Sequence, residues 1–222
     1  MNEKEATAPL MQCVGFIMDG NRRFAKEHGQ TELEGHTAGK EKFLEVVDWV
    51  RDLKIPHAVF YAFSTENWHR DKDEVEHLMS LFRELLRQLQ VEAKDKKVNI
   101  RIIGRREDLP MDIQESIQEL EIKNSEEYVT TIWVAFSYGG RAEIVSAVNK
   151  FIEAGKKIDE QEFAENLWTA GMSDPDIIIR TSGEKRLSNF LPWQSVYSEL
   201  FFTSTYWPAF TKDEFMSILE EY

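Results

Sequence analysis

The 222-residue chain lacks paired cysteines, long apolar runs and a basic, apolar leader. Its one cysteine, Cys13, cannot form a disulfide within the chain, so we expect a reducing, cytoplasmic setting. No apolar run approaches the roughly 20 residues that cross a bilayer. The N-terminal MNEKEATAPLMQ has neither the basic end nor the apolar core of a signal peptide. A membrane-spanning protein is therefore not expected, although exposed apolar surface could still contact a membrane peripherally.

Positive charge is also scarce, because 40 Asp and Glu residues outweigh 27 Lys and Arg residues and leave a net charge of −13. A nucleic acid or an anionic membrane is therefore a poor partner, since both attract basic surfaces. Repeats, low-complexity tracts and linkers are missing too, and a hydrophobic content of 42% suffices for one substantial core. We predict a single domain over residues 1–222, with residues 1–12 flexible.

Short apolar segments alternate with amphipathic helical patterns along the chain. The predicted strands are 14–18, 58–63, 98–103, 128–136, 176–180 and 196–203. The predicted helices are 35–53, 73–92, 113–122, 141–154, 160–168 and 212–220. This order predicts an α/β fold with a central, mostly parallel sheet of about six strands flanked by helices. The apolar stripe of helix 73–92 either joins the core or lines a lipid tunnel between the sheet and the long helices.

The end of the first strand carries an unusual polar sequence, MDGNRR, at residues 18–23. A helix that begins after this turn exposes free backbone N–H groups, and with Arg22 and Arg23 these favour a phosphate or diphosphate. Asp19 is suited to Mg²⁺ that bridges to such an anion. The alternative is an ordinary turn, with Asp19 as the helix N-cap and solvated arginines. The turn matches neither standard glycine-rich phosphate loop.

Polar segments follow three more predicted strands, at residues 64–70, 137–141 and 180–188. In open α/β sheets, ligands bind outside the carboxyl ends of the strands. Four polar clusters at one such edge favour a site for two or more diphosphates with Mg²⁺ over four unrelated helix caps.

Several segments in this order carry a family resemblance: MDGNRRFAK, GHTAG, YAFSTENWHR, IRIIGR, YGGRAEI, DIIIRTSGEKRLSNFLPWQSVYSELFF and YWPAF. On them the chain, from residue 14 to 222, resembles the cis-prenyltransferases, the isoprenyl diphosphate synthases that make undecaprenyl and dehydrodolichyl diphosphates. The resemblance implies Mg²⁺-dependent condensation of isopentenyl diphosphate with an allylic diphosphate primer such as farnesyl diphosphate. The product would be a Z-polyprenyl diphosphate, and the enzyme a homodimer.

The resemblance also implies roles for individual residues. Asp19 would hold Mg²⁺ and help ionise the allylic diphosphate, Glu199 would reach the metal, and Asn67 would lie near the proton that is lost. The implied substrate-binding residues are Gly20, Asn21, Arg22, Arg23, Phe24, His36, Ser64, Thr65, Glu66, Trp68, Arg70, Arg180, Arg186, Leu187 and Ser188.

For some of these residues a purely structural role is an alternative to substrate binding. Phe24 and Trp68, like Phe63, fit a core position as well as a contact with the isoprenoid. His36 fits a helix start, and Arg70 fits an ion pair with Glu74 at the beginning of a helix.

Three features depart from the family pattern. Glu32 stands where many members carry an arginine, which places a like charge near the diphosphate. Lys185 occupies the position of a metal-contacting histidine in some members, so it is not assigned to the metal. Many members also continue beyond the position of Tyr222 into an arginine-rich tail, whose contribution is not expected here.

Two rival functions are compatible with parts of the sequence. A non-catalytic partner subunit of a two-chain prenyltransferase typically loses the aspartate of the first motif and the arginine cluster, but Asp19, Arg180 and Arg186 are kept. A Mg²⁺-dependent phosphatase with Asp19 as nucleophile would need a second acid two residues on, where Asn21 stands. Both comparisons favour the synthase.

Overall fold

The computed structural model describes residues 11–122 and 127–222. Its one sheet contains six parallel strands in the order β3-β4-β2-β1-β5-β6. The strands are β1 (Cys13–Ile17), β2 (His57–Ser64), β3 (Val98–Ile103), β4 (Thr130–Tyr138), β5 (Ile177–Arg180) and β6 (Glu199–Phe202). This arrangement confirms the predicted α/β fold.

Seven α-helices in the described ranges flank the sheet. They are α1 (Asn21–Glu27), α2 (Glu32–Asp52), α3 (Lys72–Asp95), α4 (Met111–Ile122), α5 (Gly140–Ala154), α6 (Glu160–Glu165) and α7 (Lys212–Glu221). Short 3₁₀ helices cover Thr65–His69, Arg106–Asp108 and Trp207–Ala209. Among the described residues, no helix is both long enough and apolar enough to span a membrane.

Of the segment predicted to be flexible, residues 1–12, the structure describes only residues 11 and 12. Residues 1–10 lie outside the described residues. Gln12, in contrast, is anchored: its N–H donates to a carboxylate oxygen of Asp176 at 2.6 Å, and its carbonyl accepts from the N–H of His57 at 2.9 Å. These bonds attach the start of β1 to both neighbouring strands, so the prediction of flexibility does not apply to Gln12.

The turn between β1 and α1 depends on a glycine. Gly20 is the N-cap of α1 and has a φ of 107°, in the left-handed region that favours glycine. A Cβ atom at this position would lie 2.8 Å from the ring of Tyr206, so the close approach also excludes a side chain. Asp19 is therefore not the N-cap, and its carboxylate is available for other contacts.

The larger core lies between the sheet and helices α2, α3 and α7. Phe16 and Phe60 stack at its centre with ring centroids 4.9 Å apart, and the edge of Phe43 packs against Phe60. A smaller apolar cluster covers the opposite face of the sheet around Trp133 and Phe190. Burial on both faces explains why the strands are nearly continuous apolar runs.

A β-bulge interrupts β2 at Ala62. Tyr61 pairs with Ala135, and Phe63 pairs with the next residue of β4, so Ala62 is an extra residue in β2. Strict alternation predicts Phe63 on the same face as Val59 and Tyr61. That prediction is wrong, because the bulge turns both Ala62 and Phe63 toward the larger core.

Aromatic residues near the C-terminus contribute to the larger core, although their clustering in the sequence also fits an exposed apolar patch. Trp207 is 1% exposed and donates its indole N–H to the carbonyl of Gly39 at 2.9 Å. Phe210 is fully buried. Apart from Tyr222, the large apolar side chains that remain exposed in this region are Val196, Tyr197 and Leu200, beside and within the edge strand β6.

Candidate active site

The carboxyl edge of the sheet carries two open, polar pockets that share Met18, Asp19, Asn21, His36 and Arg70. The strand-end pocket, of about 610 Å³, extends from these residues across β2 and β5 to Ser64, Glu66, Asn67, Arg180, Arg186 and Ser188. The helix-start pocket, of about 740 Å³, extends over α1 and the start of α2 to Gly20, Arg22, Arg23, Lys26 and Glu32. Both volumes are in the range of small-molecule sites.

Asp19 is held at the junction of the two pockets by its main chain. The hydroxyl of Thr181 accepts from the N–H of Asp19 at 3.0 Å and donates to its carbonyl at 2.7 Å. The carboxylate accepts from the guanidinium of Arg180 at 2.8 Å and lies 3.3 Å from that of Arg23. Adjacent parallel strands β1 and β5 bring these residues together from opposite ends of the chain.

Arg180 organises the floor of the strand-end pocket. It is only 4% exposed, and besides Asp19 it donates to the hydroxyl of Ser188 at 2.8 Å and to the carbonyl of Arg186 at 2.5 Å. Ser188 has a φ of 49°, so the loop that presents it is held in the left-handed region. The side chain of Arg186, in contrast, is largely exposed and pairs only with Glu184 among the described residues.

Three basic side chains surround Glu74, next to the residues that line both pockets. Its buried carboxylate accepts from His36 at 2.9 Å and Arg70 at 2.8 Å, and Arg22 lies 3.8 Å away. Burial alone would raise the pKa of Glu74, but the His36 hydrogen bond and the arginine charges outweigh it and lower that pKa. The ion pair predicted between Arg70 and Glu74 is therefore present, and it lies within the site.

His36 is buried beside the carboxylate of Glu74. Desolvation lowers the pKa of its imidazole, against the hydrogen bond to Glu74, which raises it. Because Nε2 carries the proton that Glu74 accepts, the neutral ring keeps a lone pair on Nδ1.

Ser64 and Asn67 form a cap where β2 ends. The amide oxygen of Asn67 accepts from the N–H of Ser64 at 3.0 Å, and both residues line the strand-end pocket. Glu66 accepts from Asn189 at 3.2 Å on the same rim. The cap gives Asn67 a structural task and fixes its amide at the pocket wall.

An apolar cavity of about 90 Å³ opens beside the strand-end pocket, between the sheet and helices α2 and α3. Ala62 and Leu78 line both spaces, and Phe82, Leu85 and Phe136 close the cavity further from the polar edge. The cavity lies where the sequence predicts a lipid tunnel.

Five predicted site residues, Glu199 among them, do not line these pockets. Phe24 stacks on His28 with ring centroids 4.1 Å apart. Trp68 packs against Phe63 and donates to the hydroxyl of Ser137 at 2.9 Å. Leu187 packs against the smaller apolar cluster, and Thr65 does not line either pocket. For Phe63 and Trp68 the core interpretation fits the structure better.

Glu199 is not near Asp19 within one chain. It pairs in register with Ile177 at the amino end of β5, whereas Arg180 at the carboxyl end pairs with Phe202. Glu199 therefore lies at the edge of the sheet opposite the pockets. The prediction that it reaches the metal beside Asp19 is wrong for a single chain, because the residue begins its strand rather than ending it.

Three residues that support the site were not identified from the sequence. Thr181 fixes Asp19, and Asn189 accepts from the N–H of Arg141 at 2.9 Å at the start of α5. The buried carboxylate of Glu143 accepts hydrogen bonds from Tyr138, Thr169 and Gln194. These bonds connect β4 to the segment that follows Ser188. All three lie within the family segments, but only tertiary contacts reveal what they hold.

The residues around Asp19 fit a cation that takes its remaining ligands from a substrate. Among the described residues, no group of three or more His, Cys, Asp or Glu side chains could hold a metal alone. Mg²⁺ commonly binds one or two carboxylates together with substrate phosphates. Asp19 supplies such a carboxylate, and the amide oxygen of Asn21, which also lines both pockets, is buried without a hydrogen-bond donor in the described part of the chain.

A family model described as “Putative undecaprenyl diphosphate synthase” matches residues 17–222. The chain belongs to this family of cis-prenyltransferases. It is 45% identical to an isoprenyl transferase of Thermotoga maritima, over 96% of this chain and 94% of the relative. It is 41% identical to the tritrans,polycis-undecaprenyl-diphosphate synthase (geranylgeranyl-diphosphate specific) of Pyrococcus horikoshii, over 99% of this chain and 87% of that one.

A solved prenyl diphosphate synthase has the same fold as this cis-prenyltransferase. The lavandulyl diphosphate synthase from Lavandula x intermedia, in complex with dimethylallyl diphosphate, superposes with a TM-score of 0.90 at 31% identity. The match covers 96% of this chain and 94% of that chain. The predicted enzyme class, a transferase of prenyl groups, is therefore confirmed.

Proposed function

We propose that this cis-prenyltransferase condenses isopentenyl diphosphate with an allylic diphosphate in the presence of Mg²⁺ and releases a Z-polyprenyl diphosphate. The observation that carries the proposal is the junction at Asp19, where two basic pockets meet beside an apolar cavity. Two diphosphates and one growing hydrocarbon chain need this combination of spaces. Asp19 and Asn67 are the catalytic residues in this proposal.

The helix-start pocket suits the allylic diphosphate. Arg22 and Arg23 supply guanidinium groups there, and the first N–H groups of α1, after Gly20, point to the same end. Asn21, His36 and Arg70 belong to both pockets and would hold the reacting end of the primer near the second substrate.

The strand-end pocket suits isopentenyl diphosphate. Arg186 is largely exposed and can turn from Glu184 to the diphosphate, and the hydroxyl of Ser188 is fixed by Arg180. Arg180 is only 4% exposed and already holds Asp19, Ser188 and the carbonyl of Arg186, so we assign it the positioning of Asp19 and Ser188.

Mg²⁺ would be held by Asp19 together with diphosphate oxygens, and it would neutralise the charge of the leaving diphosphate as the allylic bond ionises. Asp19 would exchange its contacts with Arg23 and Arg180 for this cation. Arg23 would then be released to bind phosphate oxygens, with Glu184 at 3.5 Å as its remaining partner.

Two neighbouring groups lie near the place where a proton must leave after the new C–C bond forms. Asn67 is a neutral amide and a poor base, so its capped position favours orienting the substrate. The lowered pKa of His36 favours its neutral form, which keeps an unprotonated ring nitrogen. His36 is therefore the better candidate for the proton acceptor, and Asn67 for orienting the substrate.

The relatives' names guide the choice of primer. The Pyrococcus horikoshii relative is named as specific for geranylgeranyl diphosphate, and the solved lavandulyl diphosphate synthase holds dimethylallyl diphosphate. We therefore propose that the purified chain be incubated with labelled isopentenyl diphosphate, Mg²⁺ and dimethylallyl, farnesyl or geranylgeranyl diphosphate in parallel.

Three outcomes separate the candidate functions. Elongated products support the synthase, and their lengths identify the primer. Phosphate release without elongation would indicate a phosphatase. No reaction with any primer would indicate a non-catalytic partner subunit, in which case adding a catalytic partner chain should restore activity.

A homodimer is the proposed assembly, and Val196, Tyr197 and Leu200 are the exposed apolar residues that would form part of its interface. They lie next to or within β6, whose outer edge is unpaired in the described part of the sheet. Peripheral contact with a membrane would serve release of the lipid product.

A further inference from the structure

We infer that Glu32 is a specificity-determining residue that makes the helix-start pocket favour a metal-complexed diphosphate over a free one. The inference rests on the proposed function and concerns the form in which the allylic substrate binds. Its basis is an ion pair inside the pocket: a carboxylate oxygen of Glu32 lies 2.9 Å from Nε of Arg22, and both side chains are among the residues that line this space.

Glu32 occupies the Nε side of Arg22, one of the two edges through which a guanidinium can bind a phosphate. The guanidinium of Arg22 already lies 3.8 Å from Glu74 on its Nη1 side and contacts Glu32 through Nε. A planar guanidinium binds phosphate best with two parallel N–H donors. An incoming diphosphate must therefore displace Glu32 or bind Arg22 through fewer donors.

The other arginines of the helix-start pocket are also paired with carboxylates. Arg23 lies 3.3 Å from Asp19, and Arg70 donates to Glu74 at 2.8 Å. Glu74 is buried and accepts from two side chains, so it is not displaced easily. Asp19 would be neutralised by the cation in the Mg²⁺ complex and would then leave Arg23. Glu32 and Asp19 are the two carboxylates that line this pocket, and Glu32 is the one that pairs with Arg22.

The exposure of the pair indicates how strong the effect is. The side chains of Arg22 and Glu32 are 50% and 51% exposed, so their attraction is moderate and depends on salt. A free diphosphate carries more negative charge than its Mg²⁺ complex and is repelled more strongly by Glu32. Removing that charge should therefore help free diphosphate most.

The helix start explains why an acid is tolerated here. Glu32 is the first residue of α2, directly after the N-cap Thr31, where a negative charge is favourable. Glu34 lies in the same turn and closes the capping box with Thr31, but it does not line the pocket. Glu34→Gln is thus a matched control, because glutamine can also close a capping box.

The experiment is a calorimetric titration with farnesyl thiodiphosphate, a slowly reacting allylic diphosphate, in EDTA and in Mg²⁺. We expect Glu32→Gln to tighten binding about fivefold to tenfold in EDTA and less than twofold in Mg²⁺. Glu34→Gln should bind as the unaltered chain does, and melting curves should show all variants folded. In 1 M salt the gain in EDTA should shrink.

The same titration in an Arg22→Met background tests whether Glu32 acts through Arg22. The gain from Glu32→Gln should then fall to less than half. Equal binding by the unaltered chain and Glu32→Gln in EDTA, an equal gain with and without Mg²⁺, or a full gain without Arg22 would each overturn the inference. If the unaltered chain bound no analogue even with Mg²⁺, the proposed function itself would fail, and this inference with it.

Discussion

Replacing Ala62 with leucine tests whether the apolar cavity receives the growing prenyl chain. The bulge in β2 turns Ala62 toward α3, and the residue lines both the cavity and the strand-end pocket. Because empty space lies beside it, we expect the larger side chain to enter the cavity without forcing its neighbours apart. Three added carbon atoms at about 0.8 kcal/mol each would contribute up to about 2 kcal/mol to stability.

The alternative is that Ala62 is small only to let a helix pack closely. Overpacking would then cost about 1–3 kcal/mol. For a chain of this size, about 1 kcal/mol shifts the melting temperature by roughly 2–4 °C. The cavity therefore predicts an unchanged or raised melting temperature, whereas close packing predicts a fall of roughly 2–12 °C.

The product ladder gives the second readout. An isoprene unit adds five carbons, so its burial in the cavity is worth about 4 kcal/mol. A leucine at position 62 would occupy this space and leave none for the growing prenyl product. Elongation should therefore stop early, while the first condensation continues. Thin-layer analysis of dephosphorylated products beside a melting curve measures both effects.

A matched control lies on the same strand and the same face. Ala58 is fully buried and does not line this cavity, so Ala58→Val should lower the melting temperature and leave the product lengths unchanged. An unaltered product ladder in Ala62→Leu, together with a lower melting temperature, would refute the assignment of the cavity to the product.

Four further predictions follow from the site and the surface. Asp19→Ala should lower turnover at saturating Mg²⁺ about a thousandfold, which corresponds to roughly 4 kcal/mol of activation free energy. Asp19→Asn should do the same while it keeps a partner for buried Arg180, and near-normal turnover of either variant would contradict the assignment. Arg186→Ala should raise KM for isopentenyl diphosphate far more than for the primer, whereas Arg180→Ala should raise both; equal effects of Arg186→Ala would count against separate pockets. Glu143→Ala should lower the free energy of unfolding by about 1–3 kcal/mol in a denaturant titration, since it strands buried donors. Light scattering at micromolar concentration should show a dimer that Tyr197→Ser weakens, and a monomer in the unaltered chain would contradict it.

The fold and the edge that carries the site could be predicted from periodicity alone. Strands buried on both faces leave apolar runs such as residues 58–63, and the polar residues after each run must meet at one edge of a parallel sheet. This reasoning placed Asp19, Asn67 and Arg186 around the same pockets, where the structure also has them.

Other features depended on contacts that sequence spacing does not encode. The bulge at Ala62 changes which face Phe63 occupies, and no local pattern distinguishes it from regular alternation. Glu199 was assigned by family position, but its place at the start of β6 follows only from the strand register. The burial of Trp207 arises from packing against α2, because its indole reaches the carbonyl of Gly39.

The strand order also has a consequence for the chain during synthesis. Asp19 and Arg180 are separated by 161 residues, and β1 pairs with β5 on one side and β2 on the other. The strands β1 to β4 can therefore assemble while one edge of β1 is still unpaired and prone to intermolecular pairing. Until β5 arrives, Asp19 lacks the arginine that orients it. A nascent chain thus completes its sheet and its diphosphate site in a single late step.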